Sequence, residues 1–178
     1  LSPVDHNKAD ISGAVSFQLN PREDFEITRA DLLINDTLWS SIPGNSLVLD
    51  SSYLQAKNFG FSNGDRQLVL NGTASPDPLN QLTLTIGGFN LSNVDLLTKE
   101  LGFDMDGYLN GIVKVSDLYS LPRISSDLAI TKFGFNHESL GDALIKSEWD
   151  NTNRLLAVDL LVVYVGNAGT HYPIKVKG

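Results

Sequence analysis

The sequence predicts an all-β fold: stacked, mostly antiparallel strands forming a curved, groove-like (taco-shaped) sheet or an open sandwich. Three observations predict it. About a dozen short apolar runs are separated by turn residues at the ~8–12-residue spacing of all-β chains. An eight-residue frame occurs three times, as LQAKNFGF from Leu54, LTIGGFNL from Leu84 and LAITKFGF from Leu128. Only one short stretch, residues 92–101, carries helical periodicity.

Apolar or small residues occupy positions 1, 3, 6 and 8 of each frame. These are Leu54, Ala56, Phe59 and Phe61, then Leu84, Ile86, Phe89 and Leu91, then Leu128, Ile130, Phe133 and Phe135. Side chains alternate with a period of two in a strand, so positions 6 and 8 would fall opposite positions 1 and 3. One extra residue restores the face. Lys57-Asn58, Gly87-Gly88 and Thr131-Lys132 stand where a β-bulge supplies it. The twelve residues then present one apolar side and are the candidate groove residues. Two short strands joined at a turn would leave the same frame.

In chain order, residues 1–12 are polar and read as a linker. Strands at 14–19 and 25–34 flank the turn signal Asn20-Pro21-Arg22-Glu23-Asp24. A strand at 38–42 ends at Pro43-Gly44-Asn45. Strands at 46–50 and 53–61 follow, and Asn63-Gly64-Asp65 turns into a strand at 66–70. Pro76-Asp77-Pro78 breaks the chain before a strand at 81–86. Ser92 or Asn93 is placed to cap the short helix, Val94, Leu97 and Leu101 form its stripe, and Gly102 ends it. Strand character returns at 108–115. Residues 121–135 are long enough for two strands or one bulged strand. Leu140-Gly141 reads as the turn into a strand at 142–149. The run 155–165 is apolar except at Asp159 and reads as a strand buried on both faces; Asp159 serves a buried site or, the commoner case, is a charge kept on an edge strand. A last strand covers 172–177. Leu54 and Leu128 lie 74 positions apart, a separation that suggests two stacked modules, about 13–103 and 104–178, within one segment 13–178.

Composition narrows the function. A formal charge of −8 and a pI near 4.7 argue against a nucleic-acid partner and against charge-driven adhesion to anionic headgroups. The absence of cysteine excludes disulfides and thiolate metal sites and is compatible with a periplasmic location. Because the chain starts at Leu1, it reads as a piece of a longer protein. His137-Glu138 lacks the spacing of a metal motif and reads as a solvated turn. Asp104-Met105-Asp106-Gly107 fails the calcium-loop spacing after its second aspartate. Neither a phosphate loop nor a nucleophile elbow is present, so no catalytic residue and no cofactor is expected. Trp39 and Trp149 leave a second reading open, a carbohydrate-binding or adhesive β-sandwich, with core packing as the commoner role for such residues.

A resemblance extends from about Gly13 to the end. Ile34-Asn35-Asp36-Thr37-Leu38-Trp39, the run from Leu68 through Leu70 into Asn71-Gly72-Thr73-Ala74-Ser75, Asp77-Pro78-Leu79, Leu140-Gly141-Asp142 and Trp149-Asp150 resemble a segment of the TamB family, within the AsmA-like envelope proteins. The resemblance implies a periplasmic segment of a longer, inner-membrane-anchored protein. It also implies a long curved β-sheet with an apolar lumen, acting in phospholipid transfer between the two membranes. An outer-membrane barrel assembly protein is an implied partner. No catalytic residue is implied. The short helix and the polar bulge residues depart from the simplest form of that pattern. The apolar side is then either an open track for acyl chains, each buried CH₂ contributing about 0.8 kcal/mol, or the core of a closed sandwich.

Overall fold

The computed structural model describes residues 8–17, 23–34, 37–94, 102–166 and 169–177. They form twelve strands: β1 (Lys8–Phe17), β2 (Glu23–Ile34), β3 (Thr37–Ser41), β4 (Ser46–Asp50), β5 (Tyr53–Asn63), β6 (Arg66–Ala74), β7 (Gln81–Asn90), β8 (Met105–Ser116), β9 (Arg123–Phe135), β10 (Glu138–Asp150), β11 (Leu155–Gly166) and β12 (Gly169–Lys177). They belong to one open antiparallel sheet in the order β1-β2-β3-β5-β6-β7-β8-β9-β10-β11-β12, with β4 paired to β2 and β5 beside that path. The fold class is the predicted one. Nearly every strand pairs with its neighbour in sequence, so short turns suffice for pairs such as β5–β6 and β9–β10, while residues 91–104 separate β7 from β8.

Several boundaries differ from expectation. Among the described residues, β1 already includes Lys8 to Ser12, inside the stretch read as a linker. The expected turn at 20–24 falls mostly outside the described residues, and Glu23 and Asp24 already belong to β2. Of the expected helix at 92–101, Leu91–Val94 form a 3₁₀ turn; residues 95–101 lie outside the described residues. Residues 123–135 make one bulged strand.

The β9–β10 turn is a correction. It lies at Asn136-His137, and β10 starts at Glu138, so Leu140-Gly141 is strand. Both turn residues have positive φ, 49° and 70°, the backbone of a type I′ hairpin turn, whose twist matches that of its strands. Asn and His are among the side chains that tolerate this region. The Asn136 N–H donates to the Asp104 carbonyl at 2.8 Å and its Oδ1 accepts from the Asp104 N–H at 2.9 Å. His137 Nε2 stands 3.3 Å from Asp104 Oδ2.

A second correction concerns β11. It lies between β10 and β12 and is not an edge strand. It is not buried on both faces either: Val162 is enclosed while Asp159 and Tyr164 are exposed.

The chain divides into two compact units, Leu1–Thr85 with Val115–Arg123, and Ile86–Lys114 with Ile124–Gly178. In the first, Trp39 of β3 is opposite Leu32 of β2, and Ala30, Trp39, Ala56 and Ala74 are buried. In the second, Leu91, Ile130, Ala143 and Val162 form the buried centre.

Candidate functional site

The bulges occur where the eight-residue frames place them. Between β5 and β6 the pairing passes from Ala56↔Gly72 to Phe59↔Leu70, so Lys57 and Asn58 together face Asn71. Between β9 and β10 it passes from Ile130↔Ala143 to Phe133↔Gly141, so Thr131 and Lys132 face Asp142. Asn58, Gly88 and Lys132 have φ of 47°, 58° and 55°. Turning the backbone this way frees one N–H from the ladder, and each finds a side-chain acceptor on the next strand. Asn58 donates to Asn71 Oδ1 at 2.7 Å, Gly88 to Asn110 Oδ1 at 2.8 Å, and Lys132 to Asp142 Oδ1 at 2.9 Å.

A glycine accompanies each acceptor: Gly72, Gly111 and Gly141, with φ of 110°, 135° and 106°. A Cβ there would overlap the carbonyl oxygen of Gln81, Asp127 or Val163 on the following strand. The repeated unit is therefore a hairpin, a bulged strand followed by a strand that carries an Asn or Asp beside a glycine. Frame spacing revealed the bulged half; the acceptor half was missed, because it is Asn-Gly in two copies and Gly-Asp in the third.

The bulge restores the face as anticipated. Lys57, Asn58, Thr131 and Lys132 are exposed, while Leu54, Phe59, Phe61, Leu128 and Phe133 are half-buried and Ala56 and Ile130 buried. In the first unit Leu54 is opposite Leu49 and Ala74, Phe59 opposite Leu70, and Phe61 opposite Ser41 and Leu68. Directly opposed residues share a face, so β4 and β6 extend the β5 quartet with leucines that the frame did not single out. Leu84 belongs to this unit and is half-buried.

In the second unit the structure brings Leu91, Ile130 and Phe133 into one cluster with Ala143 and Val162. Two transverse rows define its face. Ile130, Ala143, Val162 and Ile174 are opposed in turn across β9–β12, and Leu128, Ile145, Leu160 and Val176 make the next row. The first is buried along Ile130, Ala143 and Val162; the second is half-buried until Val176, which is exposed. Ile86 and Phe89 are half-buried here too. Phe135 lies at the margin, 36% exposed, its ring 5.9 Å from that of Phe103.

The reverse face is charged. Asp127, Lys146, Asp159 and Lys177 form an alternating row across β9–β12, with Lys146 Nζ 3.3 Å from Asp127 Oδ2. Asp159 is thus a member of a charge row, with a lysine opposite it on each neighbouring strand.

Among the described residues no three His, Cys, Asp or Glu side chains gather as a metal site would require, and no helix is long and apolar enough to cross a membrane. Trp39 is 2% exposed and offers no ring face to a sugar. Trp149 is half-buried, opposite Leu156. Comparison with protein families, curated proteins and solved structures returns no match to this chain.

Proposed function

We propose that the chain is a non-enzymatic, periplasmic segment of a TamB-like envelope protein. Its apolar sheet face carries phospholipid acyl chains between the inner and outer membranes, and/or the segment supports outer-membrane protein assembly with a barrel partner. The observation that carries this reading is a continuous apolar face that is incompletely covered. Leu128, Ile145 and Leu160 are contiguous across three strands, yet all stay half-buried. A closed sandwich core encloses such rows between two sheets. Here the largest fully enclosed side chains among the described residues are Trp39 and Val162.

Such a face suits an acyl chain because apolar burial is non-directional. Side chains repeating along a row hold a methylene chain without fixing its register, so it slides while its headgroup stays in water. The test is Phe133→Arg, which sets a guanidinium on this face. An open face lets the charge reach water along its own stem. The variant is then expected to fold and to lose co-purifying phospholipid, read by lipid mass spectrometry. Unchanged lipid content in the folded variant contradicts the proposal.

A further inference from the structure

The geometry points to a binding site for an amphipathic anion, an alkyl chain bearing a phosphate-type headgroup, on the reverse face of β10–β12. Two adjacent rows make it. Leu144, Leu161 and Lys175 are opposed in turn, as are Lys146, Asp159 and Lys177. Alternation places all six on the face opposite Ile145, Leu160 and Ile174, and together with Leu160 and Val176 they line a cavity of about 340 Å³. That volume is at the lower end of the ~300–1,000 Å³ of small-molecule sites. It fits a headgroup with the first part of one chain.

The two ends of the site differ in chemistry. Leu144 is 46% exposed, and with half-buried Leu161 it makes an apolar floor inside an otherwise charged face. Lys175 and Lys177 are exposed two residues apart on β12 and, among the described residues, neither is in an ion pair. Lys146 is held by Asp127. In a chain of net charge −8, two ammonium groups with no ion pair among the described residues, beside Leu144 and Leu161, fit a ligand that is anionic at one end and apolar at the other. Asp159, opposite Lys177, opposes the anion in part and limits its affinity.

Its six facing side chains lie on the face opposite the proposed lipid track, although Leu160 and Val176 of the Leu128 row also border the cavity. The test follows the methyl NMR signals of Leu144 and Leu161 in the whole chain. The titrants are dodecyl phosphate below its micelle concentration, inorganic phosphate and dodecyl maltoside. Dodecyl phosphate is expected to shift both methyls saturably. Each control should need roughly tenfold more ligand, inorganic phosphate because it lacks the chain and dodecyl maltoside because it lacks the charge, as should dodecyl phosphate against Lys175→Gln/Lys177→Gln; a tenfold loss corresponds to about 1.4 kcal/mol. Asp159→Asn should tighten binding, and Phe133→Arg should leave it unchanged. Equal shifts with dodecyl maltoside, or full affinity in the double lysine variant, would reduce the site to an apolar patch and overturn the proposal. Equal affinity for inorganic phosphate would remove the amphiphile. Loss of binding in folded Phe133→Arg would move the ligand to the other face.

Discussion

The backbone N–H of Asn58 donates to the side-chain Oδ1 of Asn71, 2.7 Å away across the β5–β6 pair. That bond gives the Asn58 N–H at the bulge a side-chain acceptor, and the bulge sets which way Phe59 and Phe61 point. Asn71→Leu is expected to destabilise the chain by about 0.5–1.5 kcal/mol, the net value of one such bond. Asn71→Asp should cost less, because Asp142 does the same work for Lys132. Urea unfolding of both variants against the parent measures the difference.

The glycine of each hairpin should be less replaceable than a glycine in a turn. Gly141→Ala meets both a positive φ of 106° and the Val163 carbonyl. Gly44 has a φ of 68° with open space around it. Gly44→Ala is expected to cost roughly 1–2 kcal/mol, the left-handed penalty alone. Gly141→Ala should cost more, since the sheet must also shift. Comparing their urea midpoints checks the order.

Much of this architecture is legible in the sequence because a bulge leaves a trace, the change of phase within LQAKNFGF and LAITKFGF. Other features leave none. The Asn136-His137 turn is hidden because a positive φ at both residues looks like ordinary polar sequence, whereas Gly141 nearby looks like a turn and is a strand residue. The run 155–165 reads as doubly buried because Ala157, Leu161 and Val163 are apolar. All three are only half-buried, because the residues opposite them on β10 and β12 include Glu148, Asp142 and Lys175. In the candidate site, Leu91, Ile130 and Phe133 come together as the frames suggest. The opposing Ala143, Ile145, Leu160 and Val162 follow only once the pairing register is known.

The β10–β11 turn should make stability sensitive to acid. Asp150 accepts from the Asn153 side chain at 2.7 Å and from the backbone N–H groups of Asn153 and Thr152 at 3.1 and 2.7 Å. These bonds, the Asn153 side chain first, hold its carboxyl below the ordinary carboxylate range. A depressed pKa means that the unfolded chain binds the proton more readily. The contribution is therefore complete above the unfolded value, near ~3.9, and is lost as pH falls through the folded one. Asp150→Ala should flatten that part of the pH–stability curve, and NMR titration of Asp150 should give a midpoint below that of an unstructured aspartate.

Enclosure at the centre of the second unit should be uneven in its energetics. Val162 is 0% exposed and Ile130 7%, so Ile130→Ala should fall in the ~2–5 kcal/mol range of core truncations. Leu128, one row away on the same strand and half-buried, should lose clearly less on truncation to Ala. Equal losses in the two unfolding curves would mean that the Leu128 row is covered as a core is.

The most direct measurement is photo-crosslinking in cells, with the reactive residue placed at Phe133 or at the adjacent Lys132. Phe133 packs beside the Ile130 cluster, while Lys132 is exposed at the bulge. A lipid track on the apolar face predicts phospholipid adducts at Phe133 and few at Lys132. Equal labelling at the two positions, or labelling of protein alone at Phe133, would contradict it.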